Sequence, residues 1–475
     1  MKQPRFMLAA PSSGSGKTMI TCGILQILKN RGYRVSSFKC GPDYIDPMFH
    51  TKVLGTISRN LDTFFTGEEM TRCLFAKTAQ QTDLSVIEGV MGYYDGLGGI
   101  RTKASSYDLA RVTDTPVILI VNAKGMSLSI LAHIKGFLDY QKDSKIKGVI
   151  LNQTSEMTCR MLTPKIESEL GICVFGYVPK IADWHLESRH LGLVLPDEIS
   201  DLREQMQRLA DILEKTLDIE SILQMAEGAK EMEDDMPKSL KQLFADPHVQ
   251  KIRTQRPQIA VAKDEAFCFF YEDNLDLLRS MGAELVAFSP VHDGHLPENL
   301  DGLLLYGGYP ELNGKALEEN LSMRQEIAAA IKDGMPCLAE CGGFMYLHES
   351  MEGMDGKFYE MAGVIPGKVW RTPRLTRFGY ITLKQNQGIS HGKQETAILG
   401  ESDLGVSPAH EFHYFDSDNC GTAFHASKPE SKRGWDCMHG SDHLLAGFPH
   451  LYYYANPKIP QAFLKKCLEY KELQK

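Results

Sequence analysis

The sequence holds no long apolar run, no excess of positive charge and no paired cysteine motif. Each absence removes a class of protein. No stretch approaches the roughly 20 apolar residues that a membrane-spanning helix needs. The opening Met1-Lys2-Gln3-Pro4-Arg5 leads into only five apolar residues, Phe6 to Ala10. A cytoplasmic location without a membrane partner is therefore expected. Acidic residues outnumber basic ones by 61 to 52, giving a net charge of −9. A nucleic-acid partner would normally demand a basic surface, so none is expected. The 11 cysteines are odd in number and form no CxxC pair, which argues against both a disulfide framework and a zinc site.

What is present is the patterning of a large α/β protein. At 475 residues the chain is too long for one core, and about two to three domains is the natural expectation. The buried runs Phe6–Ala10, Leu84–Ile87, Pro116–Val121 and Gly148–Leu151 alternate with amphipathic stretches, the βα rhythm of a parallel sheet covered by helices. A second series runs through Ile259–Ala262, Glu284–Phe288, Gly302–Tyr306 and the strand ahead of Cys341. The expected fold class is α/β with two α/β domains. Between them, Glu227–Pro237 and the polar stretch to Pro257 break the apolar periodicity, as a solvated helix or linker would. The first domain is expected over 1–245, with a connector at about 200–256, and the second over 257–475.

Behind the first strand comes Ala10-Pro11-Ser12-Ser13-Gly14-Ser15-Gly16-Lys17-Thr18, followed by Ile20, Ile24, Leu25, Ile27 and Leu28 at helical spacing. Gly14 and Gly16 let the loop amides, Ser15 included, converge on phosphate at a helix N-terminus. Lys17 supplies charge, and Thr18 offers a hydroxyl to Mg²⁺. Pro11 stands where the standard pattern has glycine, but the strand–loop–helix context favours a nucleotide site over a structural glycine turn. Glu88, at the end of the Val86-Ile87-Glu88 run, is a candidate Mg²⁺ ligand, or else a salt-bridged strand end. Asp95 and the run Gly41-Pro42-Asp43-Tyr44-Ile45-Asp46-Pro47 add carboxylates that the same sheet edge would gather. Metal plus phosphate would explain such crowding, because uncompensated carboxylates repel.

In the C-terminal half, Ala339-Glu340-Cys341-Gly342-Gly343 sets a thiol between an apolar run and two glycines. Met335–Leu338 reads as a buried strand and Phe344–Leu347 as a first helical turn, the pattern of a nucleophile elbow. The helix N-terminus is expected to lower the thiol's pKa, and the glycines to leave room for a substrate carbonyl. Alone, this motif fits a protease, an esterase or an amidase.

Longer motifs carry a family resemblance. Lys39-Cys40-Gly41-Pro42-Asp43-Tyr44-Ile45-Asp46-Pro47, Ser58-Arg59-Asn60-Leu61-Asp62, Glu88-Gly89-Val90-Met91-Gly92 and Glu187-Ser188-Arg189-His190-Leu191-Gly192-Leu193 resemble the synthetase half of cobyrinic acid a,c-diamide synthases. That half is similar in fold to dethiobiotin synthetase. Ala266-Phe267-Cys268-Phe269-Phe270-Tyr271, Phe288-Ser289-Pro290, Gly307-Gly308-Tyr309-Pro310-Glu311, the Cys341 motif and His410-Glu411-Phe412-His413-Tyr414 continue the resemblance into a triad-type, class I glutamine amidotransferase domain. It covers nearly the whole chain in order.

The resemblance implies a ligase that activates the a and c carboxylates of a corrin with ATP and Mg²⁺ and aminates them with ammonia from glutamine. Asp43, Tyr44, Glu88 and Asp95 fall on positions that bind the metal–nucleotide or the corrin carboxylate, with Thr18, Asp46 and Glu88 as the metal set. Asn152 matches an adenine-contacting position, although Asn after a strand is also a common turn former. Cys341 would attack the glutamine amide. His450, in Leu445-Ala446-Gly447-Phe448-Pro449-His450-Leu451-Tyr452-Tyr453, would be its base, with His410 and His413 as rivals, and Gly307 and Gly308 would bind the oxyanion.

Two departures stand out. Tyr306 replaces a common third glycine and is expected to narrow the mouth of the site. Tyr452 replaces a common second His, and the Glu of most triad amidotransferases is absent there too. Either a Cys–His dyad operates, or a third residue comes from elsewhere. The implied partners are small molecules: corrinoid acid, L-glutamine and ATP. Ammonia would pass within one chain or across a homodimer. The alternatives are the same reaction on hydrogenobyrinate or nickel sirohydrochlorin, and a nucleotide-switch ATPase with a vestigial amidase domain.

Overall fold

The computed structural model describes residues 2–181, 196–386 and 397–474. The Glu187–Leu193 motif lies outside the described residues. The chain packs as two units, Met1–Pro237 and Lys238–Lys475.

The first unit is built on seven strands: β1 (Arg5–Ala9), β2 (Val35–Cys40), β3 (Ile57–Leu61), β4 (Leu84–Glu88), β5 (Val117–Asn122), β6 (Ile146–Asn152) and β7 (Cys173–Val178). They pair in the order β3-β2-β4-β1-β5-β6-β7, and every pairing is parallel. All residues of β1, β2 and β4 are buried, which is why these strands read as continuous runs rather than as alternating ones. The loops that carry Lys17, Asp43 and Glu88 all leave the C-terminal ends of β1, β2 and β4, where open parallel sheets place their ligands.

The stretch expected as a connector contributes a helix to the core of the first unit. The helix Pro196–Thr216 inserts Met206, Leu209, Ala210 and Leu213 among Ile20, Ile24 and Ile27 of the helix Lys17–Asn30. Gly23 admits it, because a Cβ there would lie 2.4 Å from Leu213 Cδ1. The spacing of 206, 209, 210 and 213 gives one apolar stripe under an otherwise charged helix. Most of that helix falls in the connector expected at about 200–256. The division between units falls at Pro237/Lys238, earlier than the expected 245–257. The helices Lys238–Ala245 and Pro247–Gln255 therefore belong to the second unit.

The second unit has a mostly parallel sheet formed by β8 (Gln258–Ala262), β9 (Glu284–Phe288), β10 (Gly302–Leu305) and β11 (Cys337–Glu340), together with Leu444–Gly447 and an antiparallel edge, His439–Gly440. Its centre runs Leu444–Gly447, β11, β10, β8. A separate antiparallel sheet orders Gly434–Cys437, Phe424–Ser427, Arg377–Gln385, Val406–His413 and His450–Leu451. The chain leaves the parallel sheet at Gly447 and enters the antiparallel one at His450, which brings that histidine to the C-terminal end of β11. All eleven cysteines are free thiols. Among the described residues, no helix is long and apolar enough to cross a membrane.

Candidate active sites

In the first unit the loop after β1 turns through Gly14 and Gly16, at φ 76° and 86°, in the left-handed region that favours glycine. Gly16 is also sterically required, since a Cβ there would lie 2.5 Å from Asn152 Nδ2. Asn152, at the end of β6, donates this amide to Ser15 O (2.9 Å) and accepts from Gln153 N (2.9 Å). Both ends of its carboxamide are therefore held by backbone, and the residue braces the loop. Lys17 Nζ donates to Met91 O at 2.5 Å. Burial lowers the Lys17 pKa, and the charge on Lys39 pushes the same way.

The carboxylates gather around a protein cation. Lys39 Nζ donates to Glu88 Oε1 (2.9 Å) and to Asp46, and it lies 3.8 Å from Asp43 Oδ2. The crowding of acids thus has its counter-ion in Lys39, where phosphate and metal had been expected to supply it. Burial alone would lower the Lys39 pKa, but Asp46, Glu88 and Asp43 hold it well above the usual value. Burial works to raise the Asp46 pKa, but Lys39, His50 and the hydrogen bonds it receives together hold it below the usual carboxylate value. Burial and the Asp46 charge push Glu88 up to about 7 and Asp43 up to about 6.

Thr18 Oγ1 donates to Glu88 Oε1 at 2.7 Å, while Glu88 Oε2 is buried with no hydrogen-bond partner among the described residues. Adjacent hydroxyl and carboxylate oxygens with spare acceptor capacity fit a hard divalent cation. Asp46 is engaged with Lys39 and fits as a direct ligand less well. Asp43 accepts from Ile45 N (2.8 Å) and so starts the helix Ile45–Lys52, with Tyr44 buried beside it. Asp95 accepts from Gly92 N (3.0 Å) and closes the turn after β4. Lys39 was the residue missed. It stands opposite Glu88 in the β2–β4 register, which a single strand's pattern does not disclose.

In the second unit Cys341 follows β11 at φ 45°, ψ −102°, a strained conformation for a residue with a Cβ. The glycines after it answer to packing. A Cβ on Gly343 would lie 2.0 Å from Leu305 O, and one on Gly342 would lie 3.0 Å from Gly308 N. The expected lowering of the thiol pKa is not found. Burial pushes it up, and the Glu311, Glu411 and Glu340 charges add to that, with the Gly342 N–H opposing. The helix Gly342–Tyr346 has only five residues, too few peptide dipoles to offset a dry site. A reactive thiolate therefore needs a base at hand.

Gly307 leaves room for an imidazole beside the thiol. A Cβ on Gly307 would meet His450 Cε1 at 2.7 Å and Cys341 Cβ at 3.4 Å, so the imidazole, the thiol side chain and the glycine backbone converge on one point. His413 is committed elsewhere, with Nδ1 bonded to Phe415 O (2.7 Å) and Nε2 to Glu411 Oε2 (3.0 Å). His410 stacks on His450, with ring centroids 4.9 Å apart. Burial keeps His450 well below the usual histidine pKa, so the imidazole is neutral at rest. The loop backbone is fixed by Phe269 N donating to Gly307 O (2.9 Å) and Tyr309 N donating to Ala266 O (3.0 Å).

The two departures have structural answers. Tyr306 is buried with its hydroxyl on Tyr453 Oη at 3.2 Å, so it packs the interior where it had been expected to narrow the mouth. Tyr452 turns to Asp273 Oδ2 (3.0 Å). The acid near His450 comes from another position: Glu340 Oε2 lies 3.8 Å from His450 Nδ1. Sequence reasoning passed over it as the neighbour of Cys341, although a glutamate ending a buried strand is itself a signal.

Residues 6–194 match the CobQ/CobB/MinD/ParA nucleotide-binding domain and residues 258–455 the CobB/CobQ-like glutamine amidotransferase domain. The cobyrinate a,c-diamide synthase of Listeria innocua is 40% identical, over 96% of this chain and 97% of that one. Its counterpart in Caldanaerobacter subterraneus is 37% identical, over 97% and 98%, and that of Priestia megaterium 35%, over 98% of each. With both domains matched in order and similarity along its whole length, the chain belongs to the cobyrinate a,c-diamide synthase family.

Proposed function

We propose that this chain converts the a and c carboxylates of cobyrinate to amides, using ATP to activate each acid and glutamine to supply the nitrogen, as a step of cobalamin biosynthesis in the cytoplasm. The observation that carries the reading is the convergence of Cys341 and His450 on Gly307 in the chain that also holds the Lys17 loop. A nucleotide switch with a vestigial amidase would have no need to keep that convergence.

A carboxylate is a poor electrophile. Attack of its oxygen on the γ-phosphorus of ATP gives an acyl phosphate and ADP, and ammonia then displaces inorganic phosphate to leave the amide. Lys17, released from Met91 O, would follow the migrating phosphoryl group, while the Gly14–Gly16 amides hold the phosphates that remain. Thr18 and Glu88 would hold Mg²⁺, which when bound supplies charge neutralisation at the phosphates. Asp43 and Tyr44, beside this cluster, would meet the corrin carboxylate.

In the second unit the Cys341 thiol passes its proton to His450 as sulfur bonds to the glutamine amide carbon. The Gly307 and Gly308 N–H groups would take the oxyanion. His450 returns the proton to the departing ammonia, leaving a thioester that water hydrolyses to glutamate.

Supplying the pure protein with cobyrinate, hydrogenobyrinate or nickel sirohydrochlorin, each with ATP, Mg²⁺ and glutamine, and weighing the products tests the assignment. Cobyrinate is expected to turn over fastest and to lose 1 Da per amide formed, as OH is replaced by NH₂, about 2 Da in all for two acyl substitutions. Faster conversion of another acid would reassign the substrate.

A further inference from the structure

Glu340 ends β11 and is 3% exposed, deeper than a carboxylate is usually found. Its Oε2 accepts from Leu451 N at 3.3 Å and lies 3.8 Å from His450 Nδ1. Its Oε1 is buried with no hydrogen-bond partner among the described residues. The position is fixed by strand pairing. Glu340 registers with Gly447 across the sheet, and three residues later the chain reaches His450, so the carboxyl and the imidazole are set by the same two backbone segments. The position that usually holds the orienting acid, two residues past the histidine, is occupied by Tyr452, whose hydroxyl is on Asp273.

We propose that Glu340 is a positioning residue for the glutaminase site: its carboxylate orients His450 and offsets the positive charge that His450 acquires when it takes the Cys341 proton. The inference rests on the amidotransferase reading above. The proton balance is simple. The thiol proton moves to the imidazole, the carboxylate takes none, and the Cys341–His450–Glu340 set keeps its total charge while sulfur forms its bond to carbon.

The surroundings allow this role to be isolated. His450 also faces His410 and His413 from the strand Val406–His413, and both disfavour its positive charge. Glu340 also faces the hydroxyls of Tyr306 and Tyr453. Glu311 and Glu411 act on the thiol. Glu340 lies within ion-pair distance of the imidazole, its Oε2 3.8 Å from Nδ1. Burial pushes its pKa up to about 8, and a positive charge forming on His450 works against that by favouring the carboxylate form.

The test uses Glu340→Gln, which keeps the shape and the acceptor for Leu451 N and removes the charge, with Glu340→Asp as its partner. Three quantities are read on the full chain: glutaminase kcat and KM, ammonia-dependent amidation, and the pH midpoint of Cys341 alkylation by iodoacetamide. In Glu340→Gln, glutaminase kcat is expected to fall about a hundredfold or more with KM little changed. The alkylation midpoint is expected to rise by about one to three units, and ammonia-dependent amidation to stay at the wild-type rate. Glu340→Asp is expected to recover part of both losses. Wild-type kcat together with an unmoved midpoint in Glu340→Gln overturns the proposal. Should Glu340→Gln lose ammonia-dependent amidation through misfolding, the Asp variant decides on the same midpoint. A wild-type protein that hydrolyses no glutamine would count against the proposed function, while the alkylation midpoint would still report on Glu340.

Discussion

Cys341→Ala is expected to end glutamine-dependent amidation and to leave ammonia-dependent amidation intact. The thiol is the group that bonds to the glutamine carbonyl carbon, and the Gly307 and Gly308 amides cannot replace a nucleophile. The loss should therefore be about ten-thousandfold or more in kcat. The substitution is also mild for the fold. Alanine removes one sulfur from a side chain that already sits at φ 45°, and the Gly342 and Gly343 contacts with the 305–308 segment remain. The check is to run the variant with glutamine and with an ammonium salt side by side. Glutamine-dependent turnover that persists would remove Cys341 from the mechanism.

Lys17→Ala should differ from it on the same pair of assays: amidation falls with either nitrogen source. Lys17 donates to Met91 O, in the segment just after Glu88, so its ammonium is held at the phosphate loop. Its loss withdraws a positive charge from a migrating phosphoryl group inside a buried site, where such a charge has its greatest effect, and a loss of about a thousandfold is expected. Lys39, gripped by Asp43, Asp46 and Glu88, cannot substitute without abandoning those carboxylates. Alkylation of Cys341 in the variant should match wild type, which separates loss of the phosphate site from loss of folding. Undiminished amidation would place the ATP chemistry elsewhere.

The contrast between the two sites shows what the sequence disclosed. The phosphate loop and the thiol elbow were legible because each is local: glycines, a lysine and a hydroxyl within a few residues, or a cysteine between a strand and two glycines. The parallel sheets were legible for the same reason, through buried runs that alternate with amphipathic helices. Lys39 was not, because its meeting with Glu88 arises only through the β2–β4 register. Glu340 was masked by the cysteine beside it.

The antiparallel sheet that carries His410, His413 and His450 went unanticipated. Its strands have mixed burial, such as the pattern of Val406–His413, so they lack the clean alternation that marks a half-buried strand. The helix Pro196–Thr216 hid its apolar stripe beneath charge. The direction of the Cys341 pKa was misjudged because sequence shows a helix start but neither its length nor the dryness around it. Burial outweighs a helix of five residues.

The central claim is that glutamine nitrogen generated at Cys341 reaches a carboxylate activated by ATP at the Lys17 loop. It is tested most directly by following glutamine labelled in its amide nitrogen into the product while ADP is counted. The account predicts cobyrinate a,c-diamide with label in both new amides and one ADP released for each. ATP and glutamine consumed without labelled amide in the corrin would contradict it.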